Sequence, residues 1–266
     1  MSTALVNGIQ LSYEESGTGP LVLLIAGSGN PGRVWRTYQV PALVGAGFRV
    51  VTFDNRGISP HGDSTVALED LVADSAALIE HLGAPAHVVG TSLGAMVAQE
   101  LALAHPNLVD HAVMLATAGR PHPMLLAVKA GQAALHDDDI RLPARYQAAV
   151  EAALHLSPRT LADPDDAEQW LDTFEFAASA PMTAGVRAQL GIDHSRDRLA
   201  EYGRITKPSL IIGFADDQLA PPMYCREVAA AIPGARYVEV AGCGHLGHLE
   251  RPEEVDRVLI DFLTGR

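Results

Sequence analysis

Val88-Val89-Gly90-Thr91-Ser92-Leu93-Gly94-Ala95-Met96 has the form G-x-S-x-G. A strand-like apolar run (His87-Val88-Val89) precedes the motif, and a helix-like run over 95–104 follows it. A strand that turns sharply into a helix holds its corner residue in a strained conformation with the side chain exposed. Gly90 and Gly94 lack a Cβ, so strand and helix can approach closely around that corner. The Ser92 hydroxyl then projects into open space beside the N-terminus of the helix, whose free N–H groups favour negative charge. A developing oxyanion is such a charge. A serine alone is a weak nucleophile, however, and needs a base held by an orienting acid.

The chain has 266 residues, enough for one large α/β domain with an inserted subdomain. A formal net charge of −13 argues against non-specific nucleic-acid binding and against anionic membrane surfaces. No apolar run approaches the roughly 20 residues that span a bilayer. The start, Met1-Ser2-Thr3-Ala4-Leu5, has no basic region and no hydrophobic signal core, so the expected location is cytoplasmic. Cys225 and Cys243 fit a reducing compartment, which leaves a disulfide between them as the less favoured alternative. No Cys/His spacing reads as a zinc site. The expected partner is a small-molecule substrate, with neither nucleic acid nor membrane. The sequence leaves the oligomeric state open, a homodimer included.

Residues 4–15 read as two strands around an Asn7-Gly8 turn. The apolar run 21–26 reads as a strand buried on both faces and ends in Gly27-Ser28-Gly29-Asn30-Pro31-Gly32. Glycines there leave backbone N–H groups uncovered, which suits an oxyanion hole. A helix over 34–44, a strand over 48–53, a helix over 68–82 and the strand 85–91 follow. Strands thus alternate with helices, the pattern of βαβ units and a mostly parallel sheet. In such sheets ligands bind beyond the carboxyl ends of the strands, where Ser28, Asp54-Asn55 and Ser92 fall.

After a strand over 111–117 the pattern changes. Residues 120–203 carry helical stretches, chiefly 125–135, 144–156 and 168–179, and no convincing strand. Asp137-Asp138-Asp139 and Asp163-Pro164-Asp165-Asp166 read as polar turns between them. The segment is expected to cap the strand ends, with core parts at 1–119 and 204–266. Met124, Leu125, Phe174, Phe176 and Met182 are candidate pocket lining, although each reads more simply as part of the insertion's own core. Strands resume at 207–214 and 236–240, and helices are expected at 223–231 and 255–263. The first of these strands ends in Asp216-Asp217 and the second runs into Gly244-His245. Nucleophile, acid and base therefore occur in the order Ser92, Asp216 or Asp217, His245, each just past a strand. All three can meet at one edge of the sheet.

With these residues in hand, the sequence resembles the α/β-hydrolase superfamily over nearly its whole length outside the insertion. It is similar to the compact capped branch of esterases, lactonases, perhydrolases and cofactor-free haloperoxidases, and polyketide-tailoring hydrolases. Gly90 to Gly94 matches the nucleophile elbow, and Asp54-Asn55-Arg56-Gly57 the D-x-R-G turn. Asp217-Gln218-Leu219-Ala220-Pro221 matches the D-x-x-x-P segment that carries the acid. Gly244-His245 with Glu250-Arg251-Pro252 matches the G-H-x-x-x-x-E-x-P segment that carries the base.

The resemblance implies an α/β-hydrolase fold: a mostly parallel sheet flanked by helices, with a helical cap inserted after the sixth strand. It implies Ser92 as nucleophile, His245 as general base and acid, and Asp217 rather than Asp216 as the orienting acid. Ser28 and Leu93 would supply the oxyanion N–H groups, and no cofactor or metal is implied. The implied activity is hydrolysis of an ester, lactone or thioester through an acyl-serine. Alternatives are perhydrolase or haloperoxidase-like activity, or a lyase, cyclase, C–C bond-forming or acyl-transfer reaction in secondary metabolism. A non-catalytic receptor on the same fold is disfavoured by the complete set of three residues. Dehalogenases and epoxide hydrolases of the superfamily use an aspartate where Ser92 stands, which excludes both. One departure is Ala26-Gly27, where the family usually has His-Gly; the side-chain hydrogen bonds that brace the loop are lost with that histidine. Arg56 is expected to brace its turn, His61 to be a loop residue, and His248 to be solvent-facing or to support the site from behind.

Overall fold

The computed structural model describes residues 2–58, 65–83, 85–179 and 182–266. Its centre is an eight-stranded sheet of β1 (Ser2–Val6), β2 (Ile9–Ser16), β3 (Leu21–Ile25), β4 (Arg49–Phe53), β5 (Ala86–Thr91), β6 (Val109–Leu115), β7 (Ser209–Phe214) and β8 (Arg236–Val240). The order across the sheet is β1-β2-β4-β3-β5-β6-β7-β8. β2 runs antiparallel to both neighbours, and the pairings from β4 to β8 are parallel. The β1–β2 turn puts Asn7 and Gly8 at φ 45° and 76°, as a two-residue hairpin of matching twist requires.

Helices α1 (Gln39–Gly45), α2 (Leu68–Leu82) and α3 (Leu93–Ala104) precede β6. Between β6 and β7 lie α4 (Pro123–Asp137), α5 (Ala144–His155), α6 (Pro158–Ala162), α7 (Pro164–Ala178), α8 (Ala184–Leu190) and α9 (Leu199–Tyr202). The chain closes with α10 (Pro222–Ala231), α11 (Gly247–Glu250) and α12 (Pro252–Leu263). The long helical insertion thus follows the sixth strand, as expected.

The period-2 pleat divides each central strand between two cores. Leu23, Ile25, Val88 and Met114 pack on the face covered by α2, α3 and α10. Val22, Leu24, Val89 and Leu115 pack on the face covered by α1 and α12. Both faces are buried, which is why these strands read as unbroken apolar runs. α12 illustrates the helical counterpart: Val255, Leu259, Phe262 and Leu263 are buried, at spacings that align them on one side. Each such side chain contributes about 1.5–3 kcal/mol by leaving water.

Two helix expectations need correction. The single helix expected over 34–44 is a 3₁₀ turn (Gly32–Trp35) followed by the short α1. Pro41 cannot donate to Thr37, and its ring would meet that carbonyl, so it is accommodated only in a first turn. Asp163-Pro164-Asp165-Asp166 is not a turn outside a helix but the start of α7. The Asp163 side chain accepts from the N–H groups of Asp165 and Asp166, and Pro164 occupies the first helical position.

The insertion is tied to the core by backbone approach. A Cβ on Gly185 of α8 would lie 2.1 Å from the Gly57 carbonyl oxygen, and Gly57 itself sits at φ 92°. Only glycine suits either position. Among the described residues, no helix is long and apolar enough to cross a membrane.

Candidate active site

The β5–α3 corner carries the strain that its sequence predicts. Ser92 has φ 54° and ψ −118°, well outside the regions open to most residues. A Cβ on Gly90 would lie 2.0 Å from the Gly94 oxygen, and one on Gly94 would lie 2.2 Å from the Ile25 oxygen. The two glycines therefore permit both the turn and its seat against β3.

Past the ends of β7 and β8, two loops bring further groups to this corner. His245 Nε2 lies 3.0 Å from Ser92 Oγ, and His245 Nδ1 lies 2.8 Å from Asp217 Oδ2. An ionised carboxylate only accepts, so Nδ1 carries the proton and the Nε2 lone pair faces the serine hydroxyl. The other carboxylate oxygen of Asp217 accepts from the N–H groups of Leu219 and Ala220, both at 2.8 Å. Burial pushes the Asp217 carboxyl up, but the facing His245 charge and these hydrogen bonds outweigh burial and hold it below the usual range. Asp217 is thus the carboxylate bonded to His245. Asp216 is half-buried beside it, with its backbone N–H donating to Cys243.

Leu93 opens α3, where a backbone N–H has no intrahelical acceptor. Ser28 lies in the loop after β3, next to Gly27. A Cβ on Gly27 would sit 3.4 Å from Ser92 Cβ, so this loop lies against the serine. The bracing lost with the absent histidine comes from elsewhere. Asn55 Nδ2 donates to the Ala26 oxygen at 3.0 Å, and Asp54 accepts from Gly32 N at 2.8 Å. Gln189 of α8 accepts from Gly29 N at 2.9 Å and donates to the Arg56 oxygen at 2.7 Å. No motif pointed to Gln189. Its signal is a fully buried amide on the same side of a short helix as the buried Gly185 and Ala188, visible only once α8 is docked.

Arg56 pairs through two nitrogens with Asp74, at 2.9 and 2.7 Å, and so braces its turn as expected. His61 falls outside the described residues. Of the candidate lining residues, Phe176 is 81% exposed and Met124 42%, so neither is part of a core. Phe174 stacks on Trp170 and approaches His155. Both cysteines are free and buried, and burial raises each thiol to about 12.

His155, at the end of α5, was not anticipated. Its ring centroid lies 5.7 Å from that of His245, and its carbonyl accepts from Leu246 N. Burial, then the neighbouring His245, lowers its pKa. Gly244 allows this approach, since a Cβ there would lie 2.6 Å from the His155 oxygen. Glu250 fastens the same junction. Its buried carboxylate accepts from Gly244 N at 2.6 Å, Ser157 N at 3.0 Å and the hydroxyls of Ser157 and Thr160 at 2.9 and 2.6 Å. Glu250→Gln puts an NH₂ where a donor already points, leaving a buried group unpaired. Thermal unfolding should show a loss of about 1–3 kcal/mol. A variant as stable as the wild type would contradict this account of the junction.

His248 is not solvent-facing. It is fully buried, its ring 4.8 Å from that of Trp35, and burial followed by the nearby His245 charge pushes it down to about 3. Gln39 donates to the His248 carbonyl and to Asp256, both at 2.9 Å. Burial raises Asp256 to about 6, with the Gln39 bond only partly offsetting it. The folded state therefore holds the Asp256 proton more tightly than the unfolded chain does, and stability is lost as pH rises from about 4 to about 6. Asp256→Asn should stabilise the protein at pH 7 and lose that advantage below about pH 4. Paired denaturant titrations across this range test it; a pH-independent difference would rule it out.

A cavity of about 550 Å³ lies between α2, α3 and the segment before α9, with Val72, Met96, Ile192, His194 and Tyr202 in its walls. Met96 is four residues past Ser92, about one helical turn.

A model of the alpha/beta hydrolase family matches residues 22–258. The chain belongs to this family. A Mycobacterium tuberculosis protein provisionally named non-heme bromoperoxidase BpoC is 43% identical over 259 residues, covering 97% of this chain and 98% of its own. A Variovorax paradoxus protein provisionally named carbamate hydrolase RutD is 30% identical over 262 residues, 96% of each chain. Among solved structures, the enol-lactonase from Burkholderia xenovorans LB400 superposes with a TM-score of 0.84 at 26% identity, covering 99% of this chain and 100% of that one. This alpha/beta hydrolase is thus similar, along nearly its full length, to proteins named for different reactions.

Proposed function

We propose that this alpha/beta hydrolase cleaves an ester, lactone or thioester of a small to medium organic substrate through an acyl-Ser92 intermediate. The observation that carries the reading is the continuous chain Ser92 Oγ, His245, Asp217, with links of 3.0 and 2.8 Å. His245 Nε2 takes the hydroxyl proton as Ser92 Oγ attacks the carbonyl carbon. The N–H groups of Leu93 and Ser28 stabilise the oxyanion, each contributing about 100–1,000-fold. The tetrahedral intermediate collapses as His245 protonates the leaving alcohol or thiol. Water, deprotonated by His245, then releases the acid and restores the serine. Asp217 fixes the imidazole tautomer throughout.

The helices of 120–203 act in this reading as a cap. The approach of His155 to His245 and the hold of Gln189 on the oxyanion loop support it. The cavity beside Met96 is of ordinary size for a small-molecule site, but its walls follow α3 away from Ser92 to His105 and include none of Ser92, Asp217 and His245, so it carries no part of this reading.

A second reading rests on the 43% identical relative named as a bromoperoxidase. Hydrogen peroxide in place of water would attack the same acyl-serine, releasing a peracid that oxidises bromide. Labelling with a fluorophosphonate, located by mass spectrometry, followed by a panel of esters, lactones and thioesters, tests the first reading. Adduct on Ser92 with rapid turnover supports hydrolysis. Adduct with negligible turnover, but bromide oxidation in peroxide and acetate, moves the assignment to the second. Adduct without either activity directs it to a non-hydrolytic reaction, and no adduct in folded protein overturns all three.

A further inference from the structure

The opposite end of the sheet holds a second cluster of chemistry-bearing groups. His87 is the second residue of β5, and Asp110 and His111 are the second and third of β6. The two strands pair Ala86 with Val109 and then Val88 with Ala112, so β6 carries one residue more than β5 at this point. His87 therefore faces both Asp110 and His111 across a bulge. Bulges of this kind re-aim side chains that a regular pleat would send to opposite faces.

The His87 and His111 rings lie 4.9 Å apart, walled by Phe48 on one side and Phe262 of α12 on the other. Both Nδ1 atoms point towards one oxygen of Asp110, from 3.7 and 3.9 Å. Those separations are too long for direct hydrogen bonds. Both nitrogens are also shut off from solvent and without a hydrogen-bond partner. The His87 side chain is 7% exposed, whereas Asp110 is 55% exposed and leaves the cluster open to ions in solution.

We propose that His87, Asp110 and His111 form a binding site for a divalent zinc-like transition-metal ion at the amino-terminal ends of β5 and β6. One atom from each residue falls within 4.8 Å of the other two. Tetrahedral zinc with bonds of about 2.0–2.1 Å separates its donors by about 3.3 Å. The two Nδ1–Oδ2 separations, 3.7 and 3.9 Å, are a few tenths of an ångström wider, and the exposed Asp110 side chain can close them. The set as a whole spans up to 4.8 Å, so the two imidazoles must also draw in around the ion. Two imidazoles and one carboxylate suit zinc, nickel or copper rather than magnesium or calcium, which prefer all-oxygen sites. Solvent would complete the coordination through the open side. The site is five residues of extended strand from Ser92, about 17 Å, so an ion there takes no part in the chemistry at the serine. It would pin the bulge and the facing α12.

Calorimetric titration of the intact protein with zinc chloride tests this, with Asp110→Asn/His111→Ala as the control. Both substituted positions are partly exposed, so the variant should fold, and circular dichroism and thermal unfolding check that it does. The expected result is one ion per chain for the wild type and an affinity at least about 10-fold weaker for the variant. Zinc should also shift the Nδ1 resonances of His87 and His111 in long-range ¹H–¹⁵N spectra. Equal affinities in the two proteins, no binding at 1:1, or unmoved Nδ1 resonances would each overturn the proposal and leave the cluster as a polar joint in the sheet. If the variant does not fold, the Nδ1 resonances of the wild type decide.

Discussion

Ser92→Ala should lower kcat by roughly 10⁶-fold on any substrate that the wild-type protein turns over. The substitution removes the atom that would carry the acyl group. It also takes away the hydroxyl facing His245 Nε2, so base and acid keep their 2.8 Å contact with nothing to activate. The N–H groups of Leu93 and Ser28 remain. They should leave a residual acceleration of about 10³–10⁴ over water, because oxyanion stabilisation and binding survive loss of the nucleophile. Folding should be little changed. The corner depends on the close approach of Gly90 and Gly94, and alanine keeps the single Cβ that Ser92 already carries at φ 54°. The decisive measurement pairs steady-state turnover with intact mass after fluorophosphonate treatment. Turnover within tenfold of wild type, or a retained adduct, would remove Ser92 from the mechanism and the acyl-enzyme with it.

Local chemistry explains which parts of this arrangement could be read from the sequence. The β5 apolar run, the two glycines and the serine are neighbours in the chain, and their geometry follows from backbone sterics alone. The same holds for α2, whose bounds at Leu68 and Leu82 agree with its apolar spacing. Local signals failed where two readings of one residue compete. Asp163 and Pro164 suit a turn and equally a helix start, and only the continuing helix beyond Asp166 decides. Pro41 ends a helix from one side and begins one from the other.

The supporting contacts were illegible for a different reason. Gln189 reaches Gly29 across 160 residues, and Glu250 reaches Ser157 across 93. Neither partner has a residue type that announces the pairing. The resemblance predicted a loop weakened by Ala26, yet Asn55 and Gln189 hold it in place of the missing side chain. His155 is the sharpest case. It reads as one more polar residue on an amphipathic helix, and it lies beside His245 only because Gly244 lets α5 end against the loop that follows β8.

Asp217→Asn should be the second most damaging change, costing about 10⁴-fold in kcat with little change in KM. An asparagine fits the space, and its carbonyl oxygen can still accept from Leu219 N and Ala220 N. The atom facing His245 Nδ1 then becomes an NH₂ donor. It favours the imidazole tautomer with Nδ1 as acceptor and the proton on Nε2, which points at Ser92. A base already carrying a proton cannot take another from the serine hydroxyl. The substitution also removes the negative charge that stabilises the imidazolium formed during attack. If the amide instead turns its oxygen towards Nδ1, it exposes the N–H groups of Leu219 and Ala220 to its own NH₂, which is no better satisfied. The pH dependence of folding separates this from simple misfolding. Asp217 sits below the usual carboxylate range, so it contributes stability above the unfolded-state pKa and loses it as pH falls through the folded one. The variant should therefore lack this part of the wild-type acid sensitivity while remaining folded at pH 7. A variant that is folded, equally active and equally acid-sensitive would mean that Asp217 neither orients His245 nor carries charge in the folded state.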